Sequence, residues 1–461
     1  MENRAIAARY TSRKMRKLEP HQTGADIVAR LRNAWPGRIY TCHLKHRALV
    51  RWIVQWIWRN GYLNLVNLSA HLFLSKAKKW RSLIKLTDYV QKNETPTYKL
   101  ADAMVVETPA PIVFPLCDQS VLVSPHGRYI FPEIFVTTVR GAMTYGGTNL
   151  ILADNDVIRH DLFDFEHDYT SEELHGRTLI DPKSSRIRWL LHDQVPEPIP
   201  AAATFVDACA SNYAHWMTEV LPRIAMFCAE DRFHGVPVVV NDGLHKNIME
   251  SLFLVVGAER EIITLPIGRA LAVDELFLTS VTGYVPFDQR TAKRCGHSHG
   301  MFSPRALESL RNDMETFDQQ VDDQGWPRKI FLRRNSGVRK LVNSDQLEQY
   351  MVSRGYVIIE PEKLTFLQQM QLFRNAKFIF APTGAALSNA IFCRPGAQVA
   401  VLMARHKRMI YRYWHNMLTP IGISVGSVLG SIVENHDLGM HGDFAVDIVD
   451  VMNLLEVMEN K

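Results

Sequence analysis

The sequence predicts an α/β protein with two doubly wound domains that face each other across a cleft, behind a basic amino-terminal extension. Three observations support this prediction. Apolar strands alternate with amphipathic helices twice along the chain, from residue 203 and again from residue 328. The first hundred residues differ sharply from the rest in charge. A chain of 461 residues is also long enough for two or three domains.

Residues 1–100 form the predicted basic extension. They hold 20 Lys and Arg against 5 Asp and Glu, whereas the remaining 361 residues hold 33 against 43, for a net charge of +5. This asymmetry predicts contact with something anionic. Residues 11–17 are expected to be solvated or disordered. Residues 47–86 are expected to be helical, because tryptophans and leucines recur there between basic side chains.

Two interpretations of residues 47–86 stay open. Their apolar runs are shorter than the ~20 residues that a membrane span needs. A helix lying in the headgroup layer of an anionic membrane would use the tryptophans and the basic residues together. A helical hairpin packed on the protein's own core would explain the same pattern.

The rest of the chain divides by its pattern of elements. Residues 101–200 contain short apolar segments separated by Pro, Gly, Asn and Asp, which indicates strands. This β-rich segment and an amino-terminal α/β domain are predicted together over residues 101–300. A carboxy-terminal α/β domain is predicted over residues 301–435, and a closing helix over residues 436–461.

Composition and motifs argue against several classes of protein. An apolar share of 47% and a charged share of 22% are ordinary for a globular protein, and the six cysteines form no CxxC pair. A reducing compartment is therefore expected, and no signal peptide is evident. There is no GxGxxG, P-loop or GxSxG motif. Cys295, His297 and His299 lack a second cluster to complete a zinc site, so they are read as part of a loop.

A candidate anion site lies in the second α/β unit. A strand ends in arginines, a third arginine follows in the turn, and a later strand leads into a helix that begins with small residues. Guanidinium groups and the unpaired N–H groups of a helix start both bind phosphate. Each feature alone has a simpler explanation, namely solvated arginines and tight packing of helix on strand. Together they predict a pocket for a diphosphate or a nucleotide. The positions are Arg333, Arg334, Arg339, Thr383, Gly384 and Ala385.

A candidate general base lies at the start of the first α/β unit. His215 and Glu219 are four residues apart and share a helix face. A histidine oriented by a carboxylate can take a proton from an alcohol. Glu219 is also four residues from Arg223, so the alternative is a structural histidine above an ion pair.

Three blocks of the sequence carry a family resemblance. They are residues 211–224 (SNYAHWMTEVLPRI), 330–343 (IFLRRNSGVRKLVN) and 381–399 (APTGAALSNAIFCRPGAQV). In this order and spacing they resemble the family 61 glycosyltransferases, over roughly residues 200–450. The resemblance implies a GT-B fold of two Rossmann-type domains, with the domain predicted over residues 101–300 on the acceptor side and that predicted over residues 301–435 binding the donor. It also implies inverting transfer of a sugar from a nucleotide sugar, commonly a UDP-sugar, to a glycan or lipid-linked acceptor. The nucleotide sugar is then a substrate, and neither a metal nor a cofactor is required.

The resemblance also implies roles for individual residues. His215 is the implied base, with Glu219 as its partner. Asn212, Tyr213 and Trp216 lie in the same block and are implied on the acceptor side. The implied donor-binding residues are Arg333, Arg334, Arg339, Asn343, Gly384, Ala385 and Asn389, and Thr383 joins them as a donor-side candidate through its place in the anion-site turn. The chain departs from the family at Thr383, where many members have His, and at Val401-Leu402, where many have Glu.

Location and partners follow from the same resemblance together with the basic extension. Bacterial members act in polysaccharide or capsule biosynthesis, which implies a cytoplasmic enzyme, peripheral on the inner face of the membrane. Residues 47–86 are the expected contact with anionic lipid. No nucleic acid is expected, because no nucleic-acid-binding module is present. The alternative from another class is a catalytically inactive GT-B protein that serves as a scaffold for a polysaccharide assembly.

Overall fold

The computed structural model describes most of the chain from residue 80 onwards. The described residues are 14–19, 80–118, 127–189, 195–290, 300–318, 325–406 and 411–460, with single positions at 50, 53, 54, 56, 57, 61, 191 and 409. Over these residues the protein is a mixed α/β structure whose strands lie mainly in two large sheets.

The strands of the described residues are short and follow one another closely along the chain. In chain order they are β1 Met15–Lys17, β2 Trp80–Lys85, β3 Thr97–Ala101, β4 Met104–Glu107, β5 Ile112–Phe114, β6 Arg128–Phe131, β7 Ile134–Tyr145, β8 Ile151–Ala153, β9 Asp156–Arg159, β10 Asp168–Tyr169, β11 Thr178–Asp181, β12 Arg186–Trp189, β13 Glu197–Thr204, β14 Val238–Asn241, β15 Ile262–Leu265, β16 Ala270–Thr279, β17 Gly283–Tyr284, β18 Asp288–Gln289, β19 Met301–Phe302, β20 Lys329–Leu332, β21 Val357–Ile359, β22 Phe378–Pro382, β23 Gln398–Ala404, β24 Ser424–Glu434 and β25 Asp443–Ala445.

The helices lie mainly between the parallel strands. Those of the described residues are α1 Leu86–Lys92, α2 Ser171–Leu174, α3 Tyr213–His215, α4 Leu221–Cys228, α5 Lys246–Val256, α6 Pro304–Asp318, α7 Ser344–Ser353, α8 Phe366–Asn375, α9 Tyr413–Leu418 and α10 Ile448–Glu459. A π-helical turn, Trp216–Val220, joins α3 to α4, and a 3₁₀ helix runs over Ala385–Phe392.

The first sheet combines a parallel half with an antiparallel half. Strands β13 to β16 are parallel neighbours in the order β15-β14-β13-β16, which confirms the alternation predicted from residue 203. β16 pairs antiparallel with β7, and the predicted β-rich residues extend the same sheet from there. The three valines of β14 are fully buried, as expected for a strand that is covered on both faces.

The second sheet is parallel through its centre. Its strands are ordered β21-β20-β22-β23-β24, with β5 parallel and β25 antiparallel to β24. Every residue of β22 and β23 is buried, which explains why both read as unbroken apolar runs. The direction of winding reverses between β20 and β22. In open α/β sheets, ligands bind beyond the carboxyl ends of the strands at such a reversal.

The two sheets are joined by buried contacts. The largest apolar cluster of the described residues draws side chains from both sheets. The Glu250 carboxylate, on α5, accepts hydrogen bonds from the backbone N–H groups of Phe366 (2.9 Å) and Leu367 (3.4 Å) at the start of α8. Asn247 donates its side-chain amide to the Leu364 carbonyl at 3.0 Å. The predicted domain limits are not tested by this packing and stay predictions.

One expectation about the amino-terminal extension agrees with the structure and another is wrong. Met15–Lys17 are exposed, as expected of a solvated segment, and they are ordered as a strand that pairs in parallel with β15 at the edge of the first sheet. Trp80–Lys85 form β2 rather than a helix, since they pair with β9 and β12. Positions 50, 53, 54, 56, 57 and 61 are helical. The remaining residues of 47–79 lie outside the described residues, as do Cys295, His297 and His299. Over the described part of the chain, no helix is both long and apolar enough to cross a membrane.

Candidate active site

A cavity of about 370 Å³ lies between the two α/β units. Ligand sites for small molecules typically measure ~300–1,000 Å³. Most of the lining comes from the turns that follow β20 and β22, on either side of the reversal in the second sheet. The first unit contributes Tyr213, His245 and Asn247. The cavity therefore lies at the edge where the topology leads one to expect a ligand.

Arg334 brings a positive charge to this cavity, and Arg339, which does not line it, lies close enough to repel that charge. Arg334 lines it, and its guanidinium lies so close to Gly384 that a Cβ at that glycine would collide with Nη1. Burial, together with the neighbouring Arg339, lowers the pKa of Arg334 to about 10. Burial also lowers the pKa of Arg339, whose Nε has no hydrogen-bond partner. Among the described residues no carboxylate forms an ion pair with either arginine.

Such a pair of half-buried charges is costly without a counter-charge, because burial and mutual repulsion both disfavour it. The backbone at Arg339 is also in the left-handed region, with φ of 56°. Strained backbone of this kind concentrates at ligand sites. The arrangement suits an anion that binds both guanidinium groups.

The helix start opposite Arg334 supplies a second set of donors. Gly384, Ala385 and Ala386 line the cavity where the 3₁₀ helix begins. The first N–H groups of a helix have no partner within it. The predicted helix is confirmed, although it is 3₁₀ rather than α. Ser388 Oγ and Asn389 Nδ2 donate to the Ala385 and Ala386 carbonyls at 2.7 and 3.0 Å, so side chains use carbonyls near the helix start.

Arg333 is held differently from Arg334, although both were predicted to bind the donor. It lines the cavity, but its Nε donates to Glu348 at 2.9 Å and its Nη1 to Glu360 at 3.0 Å. These carboxylates raise the pKa of Arg333. Its charge is therefore already neutralised by protein partners.

Two further predicted donor-side residues have protein partners. Asn343 lies outside the lining of this cavity, where its side chain donates to the Val446 carbonyl (2.8 Å) and accepts from the Val446 N–H (3.3 Å). Thr383 is buried, and its hydroxyl accepts from Trp414 Nε1 at 3.1 Å. Their hydrogen bonds hold the chain around the site.

Asn389 joins the two units beneath the cavity. It is fully buried, accepts from the Tyr213 hydroxyl at 2.7 Å, and donates to Gln369 Oε1 at 2.7 Å. Both ends of its amide are thus used. Tyr213 is thereby fixed against the helix that carries Ala385.

The candidate base has the predicted partner. His215 Nδ1 lies 2.5 Å from Glu219 Oε1, at the start of the π-helical turn. Burial would lower the pKa of His215, but the Glu219 carboxylate, with Asp207, outweighs that effect and raises it. Arg223 pairs through Nη2 with Asp207 (3.6 Å) and donates only to the backbone carbonyl of Glu219 (2.9 Å). Glu219 therefore orients His215, which follows the cavity residue Tyr213 by two positions in the chain but does not itself line the cavity.

The three predicted acceptor-side residues occupy different environments. Asn212 is exposed and caps α3, accepting from the Ala214 N–H at 3.1 Å. Tyr213 lines the cavity. Trp216 is fully buried and donates to Ser251 Oγ at 2.8 Å, so it belongs to the core. Of the three, Tyr213 alone lines the cavity.

Sequence reasoning missed several cavity residues. His245 and Asn247 follow β14, and Glu362 follows β21, so all three lie just beyond the carboxyl end of a parallel strand. The rule that selected Arg333 and Arg334 would have found them as well. Gln369 also lines the cavity, but it lies inside a helix and its amide oxygen is held by Asn389, so no local signal marks it.

The family comparison agrees with this geometry. The model of the family Glycosyltransferase 61 matches residues 213–400. The match contains the histidine–carboxylate pair, the arginine turn and the helix start at the cavity, and it confirms the resemblance to the family 61 glycosyltransferases. The chain is a glycosyltransferase. No curated protein matches it significantly.

The glycosyltransferase was expected to need no metal, and that expectation stays a prediction. In the described residues, no group of three or more His, Cys, Asp or Glu side chains is placed to hold a metal ion.

Proposed function

We propose that this glycosyltransferase moves a sugar from a nucleotide-sugar donor, most readily a UDP-sugar, to a glycan or lipid-linked acceptor, with inversion at the anomeric carbon. The observation that carries the proposal is the pair of half-buried arginines, Arg334 and Arg339, without a carboxylate partner among the described residues. The Arg334 guanidinium lies against the helix start at Gly384. A diphosphate would supply the missing counter-charge.

In the proposed reaction, the donor diphosphate is held by Arg334, Arg339 and the first N–H groups of the 3₁₀ helix. The acceptor hydroxyl oxygen attacks the anomeric carbon as His215 takes the hydroxyl proton. The bond from that carbon to the diphosphate oxygen breaks, and its electron pair leaves with the diphosphate. The guanidinium groups stabilise the charge that develops on this leaving group. No metal is required in this scheme.

The wider setting belongs to the same proposal. Two facing Rossmann-type units of the GT-B kind would place donor and acceptor on opposite sides of the cavity. Polysaccharide or capsule biosynthesis, at the cytoplasmic face of the inner membrane, fits the basic charge of residues 1–100. Residues 47–86 would contact anionic lipid.

Nucleotide binding tests the proposal. UDP, GDP and CDP are titrated calorimetrically into the wild type and into the Arg334→Ala variant. At least one nucleotide should bind the wild type. The variant should bind it about tenfold more weakly or worse, because charge-assisted hydrogen bonds to phosphate are lost. Arg354→Ala is the matched control, since Arg354 pairs with Glu459 at the surface at 3.0 Å.

Failure of all three nucleotides to bind the wild type would contradict the donor assignment. If a nucleotide binds but no nucleotide sugar carrying it is transferred or hydrolysed, the scaffold alternative is favoured over catalysis.

A further inference from the structure

One carboxylate lies among the basic and polar groups that line the cavity. Glu362 is the single acidic side chain in that lining, as far as the described residues go. A carboxylate next to a diphosphate site repels the ligand's charge. Such a carboxylate favours binding only if the same ligand presents hydrogen-bond donors to it, because an ionised carboxylate only accepts hydrogen bonds.

Glu362 lies next to the proposed diphosphate site. Its Oε1 accepts a hydrogen bond from the side-chain amide of Asn335. Asn335 directly follows Arg334 in the turn after β20. Asn335 also lines the cavity. The carboxylate and the Arg334 guanidinium that approaches Gly384 therefore line the same cavity.

The neighbouring glutamate makes a clear contrast. Glu360 is neutralised by Arg333, at 3.0 Å, and by Lys363. Glu362 forms no ion pair with any described residue, and Asn335 is its one hydrogen-bond partner among them. Its carboxylate therefore keeps capacity for a ligand.

The topology points to the kind of group it would bind. β21 lies beside β20 in the second sheet and is the second strand of that unit in chain order. In dinucleotide-binding sheets, an acidic residue at the end of the second strand accepts hydrogen bonds from the ribose of a nucleotide whose diphosphate lies at the turn after the first strand. Arg334 lies in the turn after β20, and Glu362 lies three residues beyond the end of β21, in the turn that Glu360 begins.

We propose that Glu362 accepts hydrogen bonds from the ribose hydroxyls of the donor nucleotide. The inference rests on the proposed nucleotide-sugar function and goes beyond it, because it makes the site selective for ribonucleotides over 2′-deoxyribonucleotides. Asn335 positions the carboxylate. The nucleoside then lies toward β21, and the sugar lies on the other side of the diphosphate, toward Tyr213.

The test compares each nucleoside diphosphate that binds with its 2′-deoxy counterpart, for example UDP with dUDP. Calorimetric dissociation constants are measured for the wild type, Glu362→Ala and Asp345→Ala. Asp345 is the matched control: it is an exposed acid in the first turn of α7 and does not line this cavity. Its removal changes the charge near the arginines without changing the ribose contact.

We expect the wild type to bind the deoxynucleotide about tenfold more weakly than the ribonucleotide, because a hydrogen bond to a charged acceptor is lost. In Glu362→Ala the ratio should fall to about one, whereas Asp345→Ala should keep the wild-type ratio. Thermal denaturation of all three proteins, without ligand, checks that they are folded.

Three results would overturn the inference. Equal binding of UDP and dUDP by the wild type would leave the diphosphate site in place and remove the role of Glu362. A preference for the ribonucleotide that persists in Glu362→Ala would assign selectivity to another residue. Failure of every nucleotide to bind the wild type would overturn the proposed function, and this inference with it.

Discussion

Glu219 controls two properties of His215 at once. Its carboxylate fixes the orientation of the imidazole through a 2.5 Å contact and raises the pKa of His215 against the effect of burial. If His215 is the general base, as proposed, it acts only when it is deprotonated, so its raised pKa shifts the onset of activity to higher pH. Arg223 forms its ion pair with Asp207. Among the described residues, therefore, no other cation pairs with the Glu219 carboxylate in place of His215.

The pH dependence of turnover tests this pair. In Glu219→Gln the main charge that raises the pKa of His215 is gone and only Asp207 is left to oppose burial, which lowers that pKa. The rising limb of kcat/KM against pH should therefore move to lower pH, and the maximum rate should fall. The profile is measured with any nucleotide sugar that the enzyme turns over, or by donor hydrolysis.

Asp164→Asn is the control for this experiment. It removes a second carboxylate–histidine contact, His167 Nδ1 to Asp164 Oδ2 at 2.9 Å, that lies outside the site. Its profile should match that of the wild type. If the limb stays in place in Glu219→Gln, His215 is not the titrating base.

In the turn between β22 and the 3₁₀ helix, one glycine allows the Arg334 guanidinium to approach the backbone closely. Gly384 has an extended backbone, with φ of −179°, which any residue can adopt. What the position requires is space, because the Arg334 guanidinium occupies the place where a Cβ would be. The small residue thus lets an arginine of one turn reach the helix start of the next.

Replacing this glycine should damage binding more than folding. In Gly384→Ala the new methyl group displaces the Arg334 guanidinium, so nucleotide affinity should fall about tenfold or more, with little change in melting temperature. Gly337→Ala is the matched control in the turn after β20, since a Cβ there meets nothing within 4 Å. Calorimetry measures the affinities. Unchanged nucleotide binding in Gly384→Ala would separate Arg334 from the ligand.

The two α/β units hold the cavity between them through buried polar contacts. The Tyr213 hydroxyl, the Asn389 amide and Gln369 form a continuous chain of hydrogen bonds from α3 to α8. Glu250 caps the start of α8 from the other unit. A buried network of this kind specifies one arrangement when every member is satisfied and is costly when one is removed.

Removing the Asn389 side-chain amide should destabilise the contact between the two units. In Asn389→Ala the Tyr213 hydroxyl and the Gln369 carbonyl both lose their buried partner, at about 1–3 kcal/mol for each unpaired group. The melting temperature should fall by several degrees. Asn155→Ala, in an exposed turn, should leave it unchanged within error. A wild-type melting temperature in Asn389→Ala would show that the hydrogen-bond network does not stabilise the contact between the two units.

Local pattern was sufficient for much of the fold and for part of the site. The alternation of strands and helices from residue 203 and from residue 328 is confirmed by β13–β16 and β20–β24, because buried parallel strands must be apolar throughout. The i, i+4 spacing of His215 and Glu219 anticipated their contact for a similarly local reason. Local pattern could not predict the strands Met15–Lys17 and Trp80–Lys85. They form because they pair with strands that are distant in the sequence.

The sequence by itself determined the resemblance to the family 61 glycosyltransferases. It also determined that arginines and a small-residue turn lie at strand ends, because such motifs depend only on residues that are neighbours in the chain. The tertiary structure alone decided which arginines are left for a ligand. Arg333 is neutralised by Glu348 and Glu360, 15 and 27 residues away, while Arg334 lies against Gly384. Ion pairs depend on distances in space, and those distances exist only once the sheet has brought separate turns to one edge.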